Sequence, residues 1–195
     1  LVSRWRIRGA RATWQEVRAA IAKADDAVAS ALYRAQPIAD LKPQMGLVPI
    51  GMNPVTKLWE FDHLRSAFDP AAGIDAAKLE IPQHAPDGAI AMTGLTGIVF
   101  VLLPGGTFTM GGDASAASDP WLQVDESPAH AVSLVPFFRS RCELTRAQWR
   151  RLTGDLPSYF QTGWTYDGAP EPIGDTHPVE QVSWDACDPW PGRPG

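Results

Sequence analysis

Apolar residues recur at alternating spacings of three and four from Trp14 through Val17, Ile21, Ala24, Val28 and Ala31 to Ala35. That period predicts a helix over residues 13–35 with one apolar seam. Thr13 and Glu16 stand three apart at its start, the spacing of a capping box, and Pro37 ends it. The seam is short of large side chains. It reads first as a face docked on its own domain or on a missing neighbour, and second as a weak coiled coil.

The pattern then changes period. Residues 36–97 are punctuated by Pro and Gly, with apolar pieces such as Leu58-Trp59-Glu60-Phe61 and Leu79-Glu80-Ile81 between them. A loop-rich lead-in with one or two short strands is expected, too apolar for a flexible linker. Pro86-Asp87-Gly88 is a turn, since Pro presets φ and Gly accepts a positive one. Ile98 to Leu103 is a continuous β-branched and aromatic run, the mark of a strand buried on both faces. Pro104-Gly105 turns the chain into a half-exposed strand in which Phe108 and Met110 alternate with threonines. A further strand is expected over Ala131 to Val135.

Thr145 and Gln148 form a second capping box. It opens a helix over Arg146 to Thr153 that buries Ala147, Trp149 and Leu152 and stops at Gly154. Residues 157–176 read as an irregular loop holding Tyr159, Phe160, Trp164 and Tyr166, either filling a loop-rich core or lining a ligand groove. Val179, Val182 and Trp184 look like core positions. Ser183 is placed to cap a helix, yet Pro189, Pro191 and Pro194 forbid its continuation.

Composition narrows the function classes. The chain has 195 residues, 45% hydrophobic and 20% charged, enough to bury about 70% of its unfolded surface. A net charge of -5 speaks against a nucleic-acid surface. Arg4, Arg6, Arg8 and Arg11 read as a solvated flank before a phosphate contact. No apolar run approaches the roughly 20 residues of a membrane span. With two cysteines and no secretory pattern, a reducing cytoplasmic compartment is the default.

Candidate chemistry is thin. The glycines of PGGTFTMGG lack both phosphate-loop spacings. Among the four histidines only His130, beside Asp125 and Glu126, is placed for catalysis or ligation, and a structural role at a strand start competes with it. Cys187, near Asp185 and His177, would need an activating base to serve as a nucleophile. Cys142 reads as a small buried hydrophobe. Taken from the residues alone, no catalytic, cofactor-binding or metal residue is assigned.

Four phrases in order resemble the formylglycine-generating enzyme, or sulfatase-modifying factor, family. They are Pro104-Gly105-Gly106 with Phe108 and Met110-Gly111; Glu126, Pro128 and His130; Phe137-Phe138 with Glu143, Thr145 and Gln148-Trp149; and His177-Pro178-Val179 with Val182-Ser183-Trp184-Asp185-Ala186. The resemblance implies an α+β, C-type-lectin-like fold over residues 97–187. Before it lie a helix (1–36) and a lead-in (37–96), and after it an irregular tail (188–195). Formylglycine-generating relatives oxidise a protein cysteine with oxygen, using paired cysteines and copper; others use non-haem iron or are noncatalytic. The phrase carrying the reacting cysteines belongs beyond Trp184, so none of its residues is carried over. The expectation is therefore an N-terminal part or frame-disrupted product of such a protein, without catalysis or cofactor of its own. Its stability should be marginal, because half the strands that should cover Ile98 to Leu103 would be missing. The alternative is a noncatalytic lectin-like binding or regulatory module of a bacterial signalling protein. Residues 41–64 resemble a lead-in of large bacterial proteins that carry an upstream protein kinase domain. The expected partners are a protein or peptide substrate and that kinase domain, with no nucleic acid or membrane.

Overall fold

A computed structural model describes residues 12–22, 32–33, 38, 41–69, 73, 79–112, 124–166, 168–170 and 172–187. Four antiparallel strands make its main sheet: β1 (Leu47–Met52), β2 (Trp59–His63), β3 (Ile98–Leu103) and β6 (Phe137–Ser140), in the order β1-β2-β3-β6. The first two come from the loop-rich lead-in. They form because Asn53 fastens the connection between them, its Oδ1 accepting the N–H groups of Val55 (2.9 Å) and Thr56 (3.1 Å). A bulge at Ile50 lies between Pro49 and Gly51 in the β1–β2 pairing.

β3 is therefore paired along both edges, by β2 and by β6. This corrects the expectation that half the strands covering Ile98–Leu103 would be missing. The same hairpin runs on into a second sheet, β4 (Gly106–Met110) against β5 (His130–Leu134). Its register continues without a slip, Leu103 opposite Phe137 and Gly106 opposite Leu134. Pro104 and Pro136, which cannot donate to a ladder, lie in the break. Gly111 then turns at φ 79°, where a Cβ would clash with the Glu126 carbonyl oxygen.

Side-chain alternation gives the sheet two different faces. Trp59 and Phe61 join Leu102, Val17, Tyr33 and Leu41 in one core. Trp14 stacks on Phe61 at 4.8 Å, and Phe61 meets Phe138 edge-on at 5.2 Å, pairs worth about 0.5–1.5 kcal/mol each beyond burial. Ile50, Ile81 and Val99 form a smaller cluster on the opposite face.

The amphipathic seam docks on the first core. Helix α1 (Trp14–Ala22) starts with the expected box: Thr13 N–H donates to Glu16 Oε2 at 2.5 Å and Glu16 N–H to Thr13 Oγ1 at 3.2 Å. Residues 23–31 and 34–35 of the predicted helix lie outside the described residues. Helix α2 (Leu64–Ala67) follows β2 directly, and α3 (Arg146–Thr153) ends at Gly154 with φ 81°. A last turn, α4 (Trp184–Cys187), is capped by Ser183, whose Oγ accepts Ala186 N–H at 3.1 Å. Trp184, expected in the core, is instead 77% exposed. The architecture is α+β.

Candidate functional site

Helix α3 is held at its start by a distant stretch of chain. Thr145 Oγ1 accepts Gln148 N–H at 3.3 Å, and Gln148 Oε1 accepts Thr145 N–H at 3.0 Å. Two further N–H groups that a helix start leaves open go to the 175–177 segment. Arg146 donates to the His177 carbonyl at 2.9 Å and Ala147 to that of Asp175 at 3.0 Å, while Val179 N–H returns to Leu144 at 2.8 Å. The His-Pro-Val phrase is thus the clasp of this helix. Gln148 Nε2 fastens the other side, donating to the carbonyls of Thr96 (3.2 Å) and Gly97 (2.9 Å).

This clasp positions the aromatic loop. Glu180 accepts the N–H groups of Tyr159 (3.1 Å) and Phe160 (3.2 Å), and buried Ser158 accepts Glu180 N–H at 3.4 Å. The rings form a chain: Tyr159 to Phe160 at 5.3 Å, Phe160 to Trp164 at 4.7 Å, and Trp164 to Tyr166 at 6.1 Å. Strand β7 (Thr165–Tyr166) pairs with β8 (Ala169–Pro170) beyond them. Tyr159 and Tyr166 are 66% and 68% exposed, so the rings are a surface and not the filling of a core. Of the two expectations, filling a loop-rich core or lining a groove, the exposure of the tyrosines speaks against the first.

Beneath the loop is a cavity of about 210 Å³ lined by Arg146, Phe160, Ile173, His177, Pro178 and Glu180. Arg146 donates through Nη1 to the Phe160 carbonyl and through Nη2 to Gln161 Oε1 at 3.1 Å. His177 Nδ1 accepts Gly174 N–H at 3.0 Å, which makes Nε2 the protonated nitrogen of a neutral ring. The apolar lining, two nitrogen-bearing side chains and the Phe160 ring can receive a small polar group attached to an apolar one.

Two buried carboxylates, on the Glu60 face of β2, lie away from this cavity. Glu60 is held by Asn53 at 3.0 Å, His84 at 2.9 Å and Arg141 at 2.7 Å. Asp62 Oδ1 has no partner, and burial pushes its carboxyl up to about 7, against the pull of Arg151. Arg151 instead holds the carbonyls of Ser66 at 2.5 Å, Thr96 at 3.1 Å and Gly94.

The clasped region coincides with a sequence match: residues 93–189 match the sulfatase-modifying factor enzyme 1-like domain. This part of the chain belongs to the sulfatase-modifying factor family. No curated protein and no solved structure matched the chain.

The sequence candidates fall apart in space or point elsewhere. His130 is exposed and its Nδ1 bonds the Pro128 carbonyl at 2.9 Å. The His177 carbonyl belongs to the helix clasp and its Nδ1 accepts Gly174 N–H, while Asp185 and Cys187 are exposed on α4. Cys142, expected to be a buried hydrophobe, is exposed at the turn after β6, beside a cavity of about 140 Å³. Among the described residues, no three His, Cys, Asp or Glu side chains converge on a point that could hold a metal. The two cysteines stand on a turn and on a separate helical turn. Arg146 and Glu180 were missed by sequence reading. The available signal for Arg146 was its place directly after a helix cap and beside buried Ala147.

Proposed function

We propose that this chain is a binding module of a sulfatase-modifying factor-type protein, engaging an extended peptide along the aromatic loop, and that it does not oxidise cysteine by itself. The observation that supports this reading is the ring chain Tyr159–Phe160–Trp164–Tyr166, with Trp164 half-buried and the other three exposed, next to a cavity and fastened by Glu180. Aromatic rings give large contact area at small entropic cost, which suits a peptide groove. The C-type-lectin-like classification, a bacterial signalling protein with an upstream kinase domain, and a cytoplasmic location belong to the same proposal. No helix among the described residues is long and apolar enough to cross a membrane.

The second reading is an oxidase. It is favoured by the family phrases, which occur in order from Pro104 to Ala186. In that case the chain would contribute scaffold and substrate groove to oxygen-dependent oxidation of a protein cysteine. One experiment separates the two. The chain is titrated with the neutral dipeptide N-acetyl-phenylalanyl-glycinamide while indole N–H resonances are followed, and is then incubated with copper, oxygen and a cysteine peptide. A saturable shift of Trp164, lost in Phe160→Ala, with no cysteine oxidised, is the expected result. Oxidation of the peptide by this chain would establish the enzyme instead, and an unmoved Trp164 would remove the binding module.

A further inference from the structure

Arg146 is the most deeply buried cation described in the chain, at 4% exposure. Buried charges in folded proteins are ordinarily paired, because an uncompensated one forfeits its hydration. Among the described residues, Arg146 makes no ion pair. Its guanidinium is held only by the neutral oxygens of Phe160 and Gln161, and its Nε–H has no partner. Glu180, the one carboxylate lining the same cavity, directs its two oxygens to the N–H groups of Tyr159 and Phe160. His177 lines the cavity too, and the bond from Gly174 to its Nδ1 leaves Nε2–H to donate.

We infer that the cavity under the aromatic loop receives a carboxylate of the peptide ligand, with Arg146 as its counter-ion and His177 Nε2–H as a second donor. The inference rests on the peptide-binding reading of the loop and names the chemistry that anchors the peptide. The volume of about 210 Å³ exceeds the roughly 30 Å³ share of a water several-fold, so a carboxymethyl group can enter. In an apolar lining the attraction between guanidinium and carboxylate is strengthened by the low dielectric. The N-terminal end of α3, where Arg146 sits, adds the positive end of the helix dipole.

Three probes test it: N-acetyl-phenylalanyl-glycine as the free acid, its C-terminal amide, and N-acetyl-phenylalanyl-aspartic acid amide, whose carboxylate is on a side chain. Binding is read from the Trp164 indole and the Arg146 Nε–H resonances. An acid should bind at least about tenfold more tightly than the amide and should alone move Arg146 Nε–H, as expected for a charge-assisted hydrogen bond. Whichever acid does so identifies a terminal or a side-chain carboxylate. Ile173→Trp, which fills the cavity while keeping the Arg146 cation, should erase the preference, as should Arg146→Gln if that variant folds. Equal binding of acids and amide, with Trp164 shifting throughout, overturns the inference and leaves the peptide-binding reading standing. If Trp164 moves with no probe, both fall.

Discussion

Two carboxylates on one strand show how much a single side chain's surroundings decide. Glu60 and Asp62 share a face of β2 and are both buried, at 2% and 1% exposure. Glu60 has Asn53, His84 and Arg141 around it; Asp62 has an oxygen with no partner and only the field of Arg151. Its carboxyl is raised from 3.8 to about 7, so between those values the folded chain holds a proton that the unfolded chain has released. Stability from this group is complete below pH 3.8 and is lost as the pH climbs through 7. Three units correspond to a loss on the order of 4 kcal/mol at full separation. Asp62→Asn should therefore flatten the pH dependence of the melting temperature between pH 5 and 8 and leave the variant more stable than the parent at pH 8. Parallel melting curves for the two proteins would show that Asp62 is not the titrating group. Gly97 limits what can replace this arrangement, since a Cβ there would sit 2.6 Å from Asp62 Oδ1.

At the scale of elements, the attachment of the N-terminal segment hangs on Tyr33. Its hydroxyl donates to the Leu102 carbonyl at 2.9 Å and accepts Trp59 N–H at 3.0 Å, tying two central strands to the segment that covers them. Burial pushes the phenol up to about 12. Tyr33→Phe leaves two backbone groups unsatisfied and should cost about 1–3 kcal/mol, seen as a lower urea midpoint with an unchanged slope. An unmoved midpoint would mean that these two hydrogen bonds add nothing to stability. The elements themselves were legible wherever a local rule decided them: both capping boxes, the run Ile98–Leu103, and the stop at Gly154. What periodicity missed was long-range. β1 and β2 looked like fragments of a lead-in because Pro49, Gly51 and Pro54 interrupt their pattern, and only pairing with β3 makes them a sheet. The candidate site was half legible. Its aromatic residues were visible as a group, but aromatic character does not say which side of a loop faces solvent. The cation under them needed the clasp between residues 145 and 177.

For the whole molecule, the family match and the folding unit do not begin at the same residue. The match starts at 93, yet the sheet that carries its first strand also contains Leu47–Met52 and Trp59–His63. Val17, Tyr33, Trp59, Phe61 and Leu102 form one core, which draws residues from both sides of that boundary. Buried side chains of this size each contribute about 1.5–3 kcal/mol, and a domain's whole margin is only about 5–15 kcal/mol. A chain beginning at residue 93 would lose four of those five side chains and would bare the β2-facing edge of β3, an open strand edge and an aggregation hazard. Such a chain should show no cooperative thermal transition and should be cut rapidly by protease within Ile98–Leu103, while the 195-residue chain melts as one unit with Trp and backbone signals coinciding. Cooperative melting of the shortened chain at the parent temperature would place the folding unit inside the family match. The core that spans the boundary argues for the opposite result, because β3 would then have water where Phe61 and Trp59 now stand.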